Sequence, residues 1–105
     1  MIRVSSSAFA ALGDDTRLAI VGELAKGERA VGELVDLFDI TQPAVSQHLR
    51  VLREAGLVRA RPEQQRRLYS LDPKGFRVIE LWLERHRRAW AKRFDALEQH
   101  MDDNP

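Results

Sequence analysis

The last third of the chain carries an apolar stripe that is too long for a small domain to cover. Between residues 76 and 101, apolar or ring-bearing side chains recur every three or four positions, which is the spacing of one face of an α-helix. These residues are Phe76, Ile79, Leu83, His86, Trp90, Phe94, Leu97 and Met101. A helix from about Pro73 to Met101 is ~40 Å long at ~1.5 Å per residue. We therefore expect its far end to pack against a second chain.

Composition excludes several classes of protein. The chain has 105 residues and no cysteine, which excludes disulfides, thiolate zinc sites, iron–sulfur clusters and thiol redox switches. Its apolar runs are far shorter than the ~20 residues of a membrane span, and residues 1–7 lack the apolar stretch of a signal peptide. With 44% hydrophobic and 31% charged residues, we expect a single soluble domain over 1–105, located in the cytoplasm and without a membrane partner.

Charge is unevenly distributed along the chain. The formal net charge is +1, but residues 41–71 carry six arginines against two glutamates, a net charge of +4. An anionic partner is therefore expected at this middle segment. The sequence contains no glycine-rich phosphate loop and no Ser/His/Asp grouping, so we expect no enzyme activity.

Capping residues and apolar spacing predict five helices. The first lies around Phe9 and Leu12 and ends at Gly13, and the second begins at Asp14 or Asp15. A third, short helix has one apolar face that consists of Val31, Leu34, Val35 and Phe38. The fourth covers about residues 42–55, and the fifth covers about residues 73–101.

The fourth helix has clear boundary signals at both ends. Thr41 is a good N-cap and Pro43 fits the first turn, whereas Gly56 suits the left-handed conformation just past a helix end. Only Asp39 and Ile40 separate this helix from the third. Two helices joined by a tight turn are a helix-turn-helix candidate, and we predict a recognition helix over about 42–55.

Two short strands are predicted after the recognition helix. Residues 57–61 and 67–71 alternate roughly between apolar and polar side chains. The polar loop 62–66 between them lacks the Asn-Gly or Asp-Gly signal of a tight hairpin, and Asp72 with Pro73 opens the last helix. We expect a mainly α fold with a small β-hairpin (α+β), in which five helices accompany a two-stranded basic wing over about 57–71.

The recognition helix separates into an apolar face and a polar face. Val45, Leu49 and Leu52 lie on one side. The other side carries Gln42, Ser46, Gln47, Arg50 and Arg53, with no acidic residue before Glu54. The major groove of DNA admits a helix, and there Gln pairs with adenine, Arg with guanine and Ser with either edge. A merely solvated face is the alternative, and the basic wing that follows favours DNA.

The sequence resembles the ArsR-type family of winged-helix bacterial transcription regulators. Four stretches carry the resemblance: FAALGDDTRLAI at 9–20, VGEL at 31–34, TQPAVSQHLRVLREAGLV at 41–58 and RRLYSL at 66–71. The most specific of them contains the run Ser-Gln-His-Leu-x-x-Leu-x-x-Ala-Gly-Leu-Val.

The resemblance implies a winged helix-turn-helix homodimer that is built through the first and last helices. Such a protein binds an inverted-repeat operator in double-stranded DNA and represses transcription, often of its own operon. The DNA-binding residues that we expect are Thr41, Gln42, Ser46, Gln47, His48, Arg50 and Arg53 on the recognition helix and Arg61, Arg66 and Arg67 on the wing. For His48, a role in local packing is the alternative to a DNA contact. The dimer-interface residues that we expect are Phe9, Leu12, Ile79, Leu83, His86, Trp90, Phe94 and Leu97.

The metal-binding patterns of that family are incomplete in this chain. Residues 33–38 contain no cysteine where the arsenic-type pattern has a pair. On the last helix, Glu84 and His86 match the start of a zinc or nickel pattern, but Leu97 stands where a further histidine is expected and the next histidine is His100. We therefore predict no metal site and no cofactor.

Two other functions fit the same fold. One is a ligand- or metal-responsive switch that senses through the C-terminal helix, for which the sequence identifies no effector. The other is a winged helix that serves only as a protein-interaction module, which would bind DNA weakly and without regard to sequence. The net charge of +4 over residues 41–71 counts against the second.

Overall fold

The computed structural model describes residues 2–103 of the chain, and the side chains of residues 7–102. In chain order the elements are α1 (Ile2–Leu12), α2 (Asp15–Leu24), β1 (Arg29–Ala30), α3 (Val31–Phe38), α4 (Gln42–Glu54), β2 (Val58–Glu63), β3 (Arg66–Leu71) and α5 (Pro73–Asp103). The five predicted helices are present, and α1 begins earlier than the sequence pattern indicated. No helix within residues 2–103 is long and apolar enough to cross a membrane.

The core consists of apolar side chains from the helices and from the start of the wing. Its fully buried members are Ile20, Leu34, Val45, Leu49, Leu52 and Leu57. Among residues 7–102 no charged or polar residue is buried. The three α4 members are those predicted to point inward. Burial of apolar surface therefore holds α4 against the body and leaves its polar face outward.

The sheet has three strands where two were predicted. The order is β1-β3-β2, and all pairs are antiparallel. Arg29 pairs with Tyr69 and Ala30 with Leu68. The sequence signal for β1 is absent because a strand of two residues is too short to show alternation. Its pairing with β3 joins the wing to the loop that precedes α3.

The wing turn is tighter than predicted. The two strands pair up to Pro62 with Arg67 and Glu63 with Arg66, so the loop has only two residues, Gln64 and Gln65. Gln64 adopts a φ of 56°, the left-handed conformation that such turns require. An ion pair between Arg66 Nη2 and Glu63 Oε2 at 3.0 Å closes the turn. This cross-strand ion pair stabilises a two-residue turn that lacks the Asn-Gly sequence.

The ends of α4 follow the predicted capping chemistry. The Thr41 hydroxyl accepts a hydrogen bond from the Ala44 amide at 3.3 Å. At the other end, the Gly56 amide donates to the Arg53 carbonyl and the Leu57 amide to the Leu52 carbonyl, both at 3.0 Å. Gly56 has a φ of 80°. This pair of bonds is the Schellman motif, and it directs the chain from α4 into the wing.

The N-terminus of α5 is docked tightly on the joint between α4 and β2. The Asp72 amide donates to the Leu57 carbonyl at 2.8 Å. A Cβ atom placed on Gly75 would lie 1.9 Å from the Gly56 carbonyl oxygen, so only glycine fits there. The first turns of α5 therefore rest on backbone, which sets the direction of the whole helix.

Beyond its first turns, α5 projects away from the rest of the chain. The helix has 31 residues, or about 46 Å at ~1.5 Å per residue. The longest dimension of the molecule is 62 Å and its radius of gyration is 17.9 Å, compared with ~13 Å for a compact domain of this length. Residues 91–102 are all exposed. This half of α5 lacks the packing that normally supports a long helix.

Candidate nucleic-acid interface

The outward face of α4 carries the polar side chains that the sequence analysis assigned to DNA. The exposed residues are Gln42, Ser46, Gln47, Arg50 and Arg53, together with the N-cap Thr41. They share one helix face because Val45, Leu49 and Leu52 occupy the other. The structure therefore brings six of the seven predicted α4 residues together on one accessible surface.

The seventh, His48, is positioned differently. Its side chain is only 21% exposed and lies on the flank of α4 that faces α2. Its Nδ1 is 3.4 Å from Arg17 Nη1 and 3.9 Å from Asp14 Oδ2. The Nδ1 edge of His48 is thus directed at α2, unlike the six exposed side chains, and a DNA contact by His48 stays a prediction.

A groove separates α4 from the wing. It has a volume of about 500 Å³ and is lined by Ser46, Arg50, Arg53, Glu54 and Tyr69. Arg50 Nε donates to Glu54 Oε1 at 3.2 Å across one helical turn. Two arginines and a serine therefore border a cleft between the two elements that are expected to contact DNA. Tyr69, which the sequence analysis did not select, forms its floor on the wing side.

Two of the three predicted wing arginines are engaged by carboxylates of the same chain. Arg61 Nε and Nη2 each donate to Glu28 at 2.8 Å, a bidentate pair that spans the sheet from β2 to the residue before β1. The hydrogen bonds from Arg61 hold the pKa of Glu28 below its usual range and raise that of Arg61. Arg66 contacts Glu63 at 3.0 Å and Glu33 at 4.0 Å.

Arg67 is the unpaired arginine of the predicted wing set. It is exposed, and within the described part of the chain no carboxylate lies within 4.0 Å of it. Arg59 on β2 is also exposed and has no ion pair among those residues. The sequence analysis omitted Arg59 from the site, although the alternation of Arg59 and Arg61 places both on the same face of β2.

The predicted dimer-interface residues lie in different surroundings. Phe9 on α1 and His86 and Trp90 on α5 form an aromatic cluster with Trp82, which was not among the predicted interface residues. The centroid distances are 5.2 Å for Phe9–Trp82, 4.3 Å for Trp82–His86 and 5.7 Å for His86–Trp90. Leu83, Phe94 and Leu97 are 41%, 56% and 56% exposed. The cluster thus continues along α5 into an uncovered apolar stripe.

Ile79 does not belong to that surface. It is 8% exposed and packs in the monomer core, because it lies in the part of α5 that is docked on α1 and on the joint at Gly56 and Leu57. Leu12 is also partly buried against the core. Met101, by contrast, is 69% exposed and continues the stripe to the helix end. The 3–4 spacing of α5 cannot distinguish its core-facing part from its exposed part.

The metal ligands considered in the sequence analysis are distributed along α5. His86 Nδ1 lies 2.8 Å from the Trp82 carbonyl, so the ring is held by its own helix. Among the described residues, no three His, Asp or Glu side chains are grouped so that they could hold a metal ion.

Comparison with known proteins places this architecture in a family. Residues 14–60 match the model of the family described as bacterial regulatory protein, arsR family. The HTH-type transcriptional regulator Rv2034 of Mycobacterium tuberculosis is 44% identical over 100 residues, which are 95% of this chain and 91% of that protein. The chain belongs to the arsR family of bacterial regulatory proteins.

Two further similarities bear on this arsR-family chain. The biofilm growth-associated repressor of Agrobacterium fabrum is 47% identical over 70 residues, covering 66% of this chain and 60% of that protein. A solution structure described as the homodimeric winged helix-turn-helix DNA-binding domain of a possible ArsR-family regulator from Mycobacterium bovis matches with a TM-score of 0.67 and 28% identity, over 81% of this chain and 82% of that one. The predicted family and winged helix-turn-helix fold are confirmed, and the chain is a helix-turn-helix transcription regulator.

Proposed function

We propose that this protein is a homodimeric repressor that binds an inverted-repeat operator, as a member of the arsR family would. The observation that carries the proposal is the outward face of α4, where six polar or cationic side chains are exposed beside the wing. The name of the Agrobacterium relative, a repressor, supports the direction of regulation.

The residues of this surface have different roles in the proposed complex. Gln42, Ser46, Gln47 and Arg50 reach base edges in the major groove, since their side chains are exposed on the face opposite the core. The Thr41 end of α4 and Arg53 contact phosphates, because a helix N-terminus and a guanidinium both attract anions.

In the proposed complex the wing contacts the DNA backbone next to the major groove. Arg67 is available for phosphate directly, whereas Arg61 and Arg66 must first exchange Glu28, Glu63 and Glu33 for phosphate oxygens. Such an exchange replaces one charge-assisted hydrogen bond by another, so its net contribution is smaller than that of Arg67. We therefore rank Arg67 first among the wing contacts.

The uncovered stripe of α5 supports dimerisation. Leu83, Phe94, Leu97 and Met101 are all more than one-third exposed, and a second copy would cover them and stabilise the projecting helix. An inverted-repeat operator requires the two copies of α4 in such a dimer to lie about one DNA turn apart, ~34–36 Å. The homodimeric description of the Mycobacterium bovis domain agrees with this assembly.

The decisive experiment is a binding titration with labelled DNA. The purified protein is titrated by fluorescence anisotropy into its own upstream DNA and into a scrambled sequence at ~0.15 M salt. Selective binding of ~10³-fold or more over scrambled DNA is expected. Equal and weak binding to both would overturn the proposal and favour a missing effector or a protein-interaction module.

A pair of arginine variants tests the wing assignment within the same assay. Arg67→Ala is expected to weaken binding to both DNAs and to reduce the slope of log K against log salt by about 1, because one phosphate contact is lost. Arg85→Ala is the matched control, since Arg85 is exposed on α5 on the side opposite the apolar stripe. An unchanged salt slope for Arg67→Ala would show that this side chain does not contact phosphate.

A further inference from the structure

A single guanidinium joins three helices on the flank of α4. Arg17, near the start of α2, donates from Nε to the Ala11 carbonyl of α1 at 2.6 Å. Its Nη1 lies 3.4 Å from Nδ1 of His48 on α4. Its own amide donates to the Asp14 carboxylate at 3.0 Å, which caps α2. The ends of α1 and α2 and the middle of α4 therefore meet at one side chain.

The hydrogen bond between Arg17 and His48 requires an acceptor on the ring. A guanidinium has only donors, so this hydrogen bond forms when Nδ1 of His48 is the acceptor. Asp14 Oδ2, 3.9 Å from Nδ1, is too distant for a hydrogen bond of its own. The contact thus depends on an acceptor at the Nδ1 position.

Apolar packing selects the face of α4 that is buried, and a directional contact constrains its rotation further. The helix is held by Val45, Leu49 and Leu52, and the hydrophobic effect has no directional preference. A hydrogen bond is directional. Since the tips of side chains lie ~5–6 Å from a helix axis, a rotation of about 10° displaces them by ~1 Å, which exceeds the ~0.5 Å tolerance of a well-formed contact.

The same guanidinium connects α4 to the dimerisation surface through α1. α1 carries Phe9, whose ring packs edge-on against Trp82 of α5 at 5.2 Å, and Arg17 donates to the carbonyl of Ala11 in the last turn of the same helix. The path from the apolar stripe of α5 to the recognition face of α4 therefore passes through Phe9, Arg17 and His48.

We infer that His48 and Arg17 are positioning residues for DNA recognition: their hydrogen bond sets the rotation of α4 relative to the dimer interface and thereby the register of the two recognition helices on the operator. This inference rests on the proposed function. It assigns His48 a role on the flank of α4 rather than in the DNA-contacting face.

Two substitutions of similar polarity test this role. In His48→Asn the amide oxygen takes the position of Nδ1, whereas in His48→Gln it lies one bond further out, near the position of Nε2. We expect His48→Asn to bind the operator within about two-fold of wild type and His48→Gln to bind it about ten-fold more weakly, which is the effect of one hydrogen bond to a charged group. Binding to scrambled DNA and the salt slope should stay unchanged in both.

The preference of the protein for one spacing of the operator half-sites is a second measurement, which a general loss of stability would not alter. Operators are prepared with the spacer lengthened or shortened by one base pair. Wild type and His48→Asn should discriminate among them, and His48→Gln should discriminate less, because its two recognition helices are no longer held in one register. Melting temperatures of the variants serve as the folding control.

Three other results would overturn the inference. A flatter salt slope in His48→Gln would indicate a direct phosphate contact, and loss of preference at a single base pair would indicate a direct base contact. Equal operator binding by Asn and Gln variants would show that the acceptor position is irrelevant. If wild type itself binds operator and scrambled DNA alike, the proposed function fails instead, which the wild-type titration detects before any variant is compared.

Discussion

The close approach of α5 to the joint after α4 predicts a severe effect of one added methyl group. In Gly75→Ala the new Cβ would lie 1.9 Å from the Gly56 carbonyl oxygen, 2.7 Å from its carbonyl carbon and 3.2 Å from the Leu57 Cα. Ordinary contact begins at 3.4 Å, so the two backbones must separate by about 1.5 Å. No flexible side chain is present to absorb the movement.

The magnitude follows from what that separation disrupts. Overpacking typically costs about 1–3 kcal/mol, and lifting the first turns of α5 exposes Ile79, whose full burial contributes about 1.5–3 kcal/mol. The hydrogen bond from the Asp72 amide to the Leu57 carbonyl, 2.8 Å long, is strained as well. We expect the free energy of unfolding to fall by about 3 kcal/mol or more, a large part of a typical total of ~5–15 kcal/mol.

Urea unfolding followed by circular dichroism measures this loss. With an m value of about 2 kcal/mol per molar urea, the midpoint should fall by about 1.5 M. Gly22→Ala is the matched control: Gly22 lies within α2, and a Cβ there has no atom within 4 Å. That variant should gain about 0.5–1 kcal/mol from helix propensity. Both are compared at one protein concentration, since dimerisation contributes to stability.

Equal urea midpoints for Gly75→Ala and wild type would contradict the close seating of α5 on Gly56, because a Cβ on residue 75 could be accommodated only if the two backbones lay further apart. A Gly75→Ala protein that is destabilised while Gly22→Ala is stabilised would confirm it. If both glycine variants were destabilised to the same extent, the cost would reflect a general sensitivity of the helices to added methyl groups.

Three further predictions concern charge and assembly. Glu54→Gln removes the carboxylate that lies 3.2 Å from Arg50. Because one charge–charge contact is worth ~1 kcal/mol at low salt, the affinity for operator and scrambled DNA in the anisotropy titration should rise about five-fold. An unchanged affinity would place Glu54 away from the phosphates. The pKa of Asp14 is held below its usual 3.8, chiefly by the hydrogen bond from the Arg17 amide, so its ionised form stabilises the fold above pH ~4 and this stability is lost as the pH falls through the lowered pKa. Melting temperatures recorded from pH 6 to 2 should therefore show a shallower acid limb for Asp14→Asn, and identical limbs would contradict the cap. Phe94→Glu places a charge on a side chain that is 56% exposed in the monomer, so sedimentation velocity should show a monomer, and its helix content should fall because the projecting half of α5 is no longer covered by a partner. A persistent dimer would place the interface elsewhere.

Local chemistry explains why most helix boundaries were predictable. The start of α4 at Thr41 and its end at Gly56 depend on hydrogen bonds between residues no more than five positions apart. The apolar stripe Val45, Leu49 and Leu52 determined which face of α4 is buried, because helical periodicity is local. The polar face and the family resemblance followed from the same residues.

The roles of individual arginines and of His48 depended on contacts between distant parts of the chain. Arg61 meets Glu28 across 33 positions, and His48 meets Arg17 across 31, so no spacing rule relates them. The polar and basic pattern of the recognition helix and wing predicted Arg61 and His48 as DNA contacts from their charge and polarity. It carried no information about which carboxylate or guanidinium would lie beside them.

Sequence patterns predict the identity of most elements, the face of α4 that is left for a partner and the excess length of α5, because each depends on residues that are near one another in the chain. The assembled fold was needed to show that β1 completes the sheet, that Ile79 belongs to the core and that Gly75 seats α5 on Gly56. These outcomes require the elements to be assembled, since strand pairing, burial and backbone clearance are properties of two segments together.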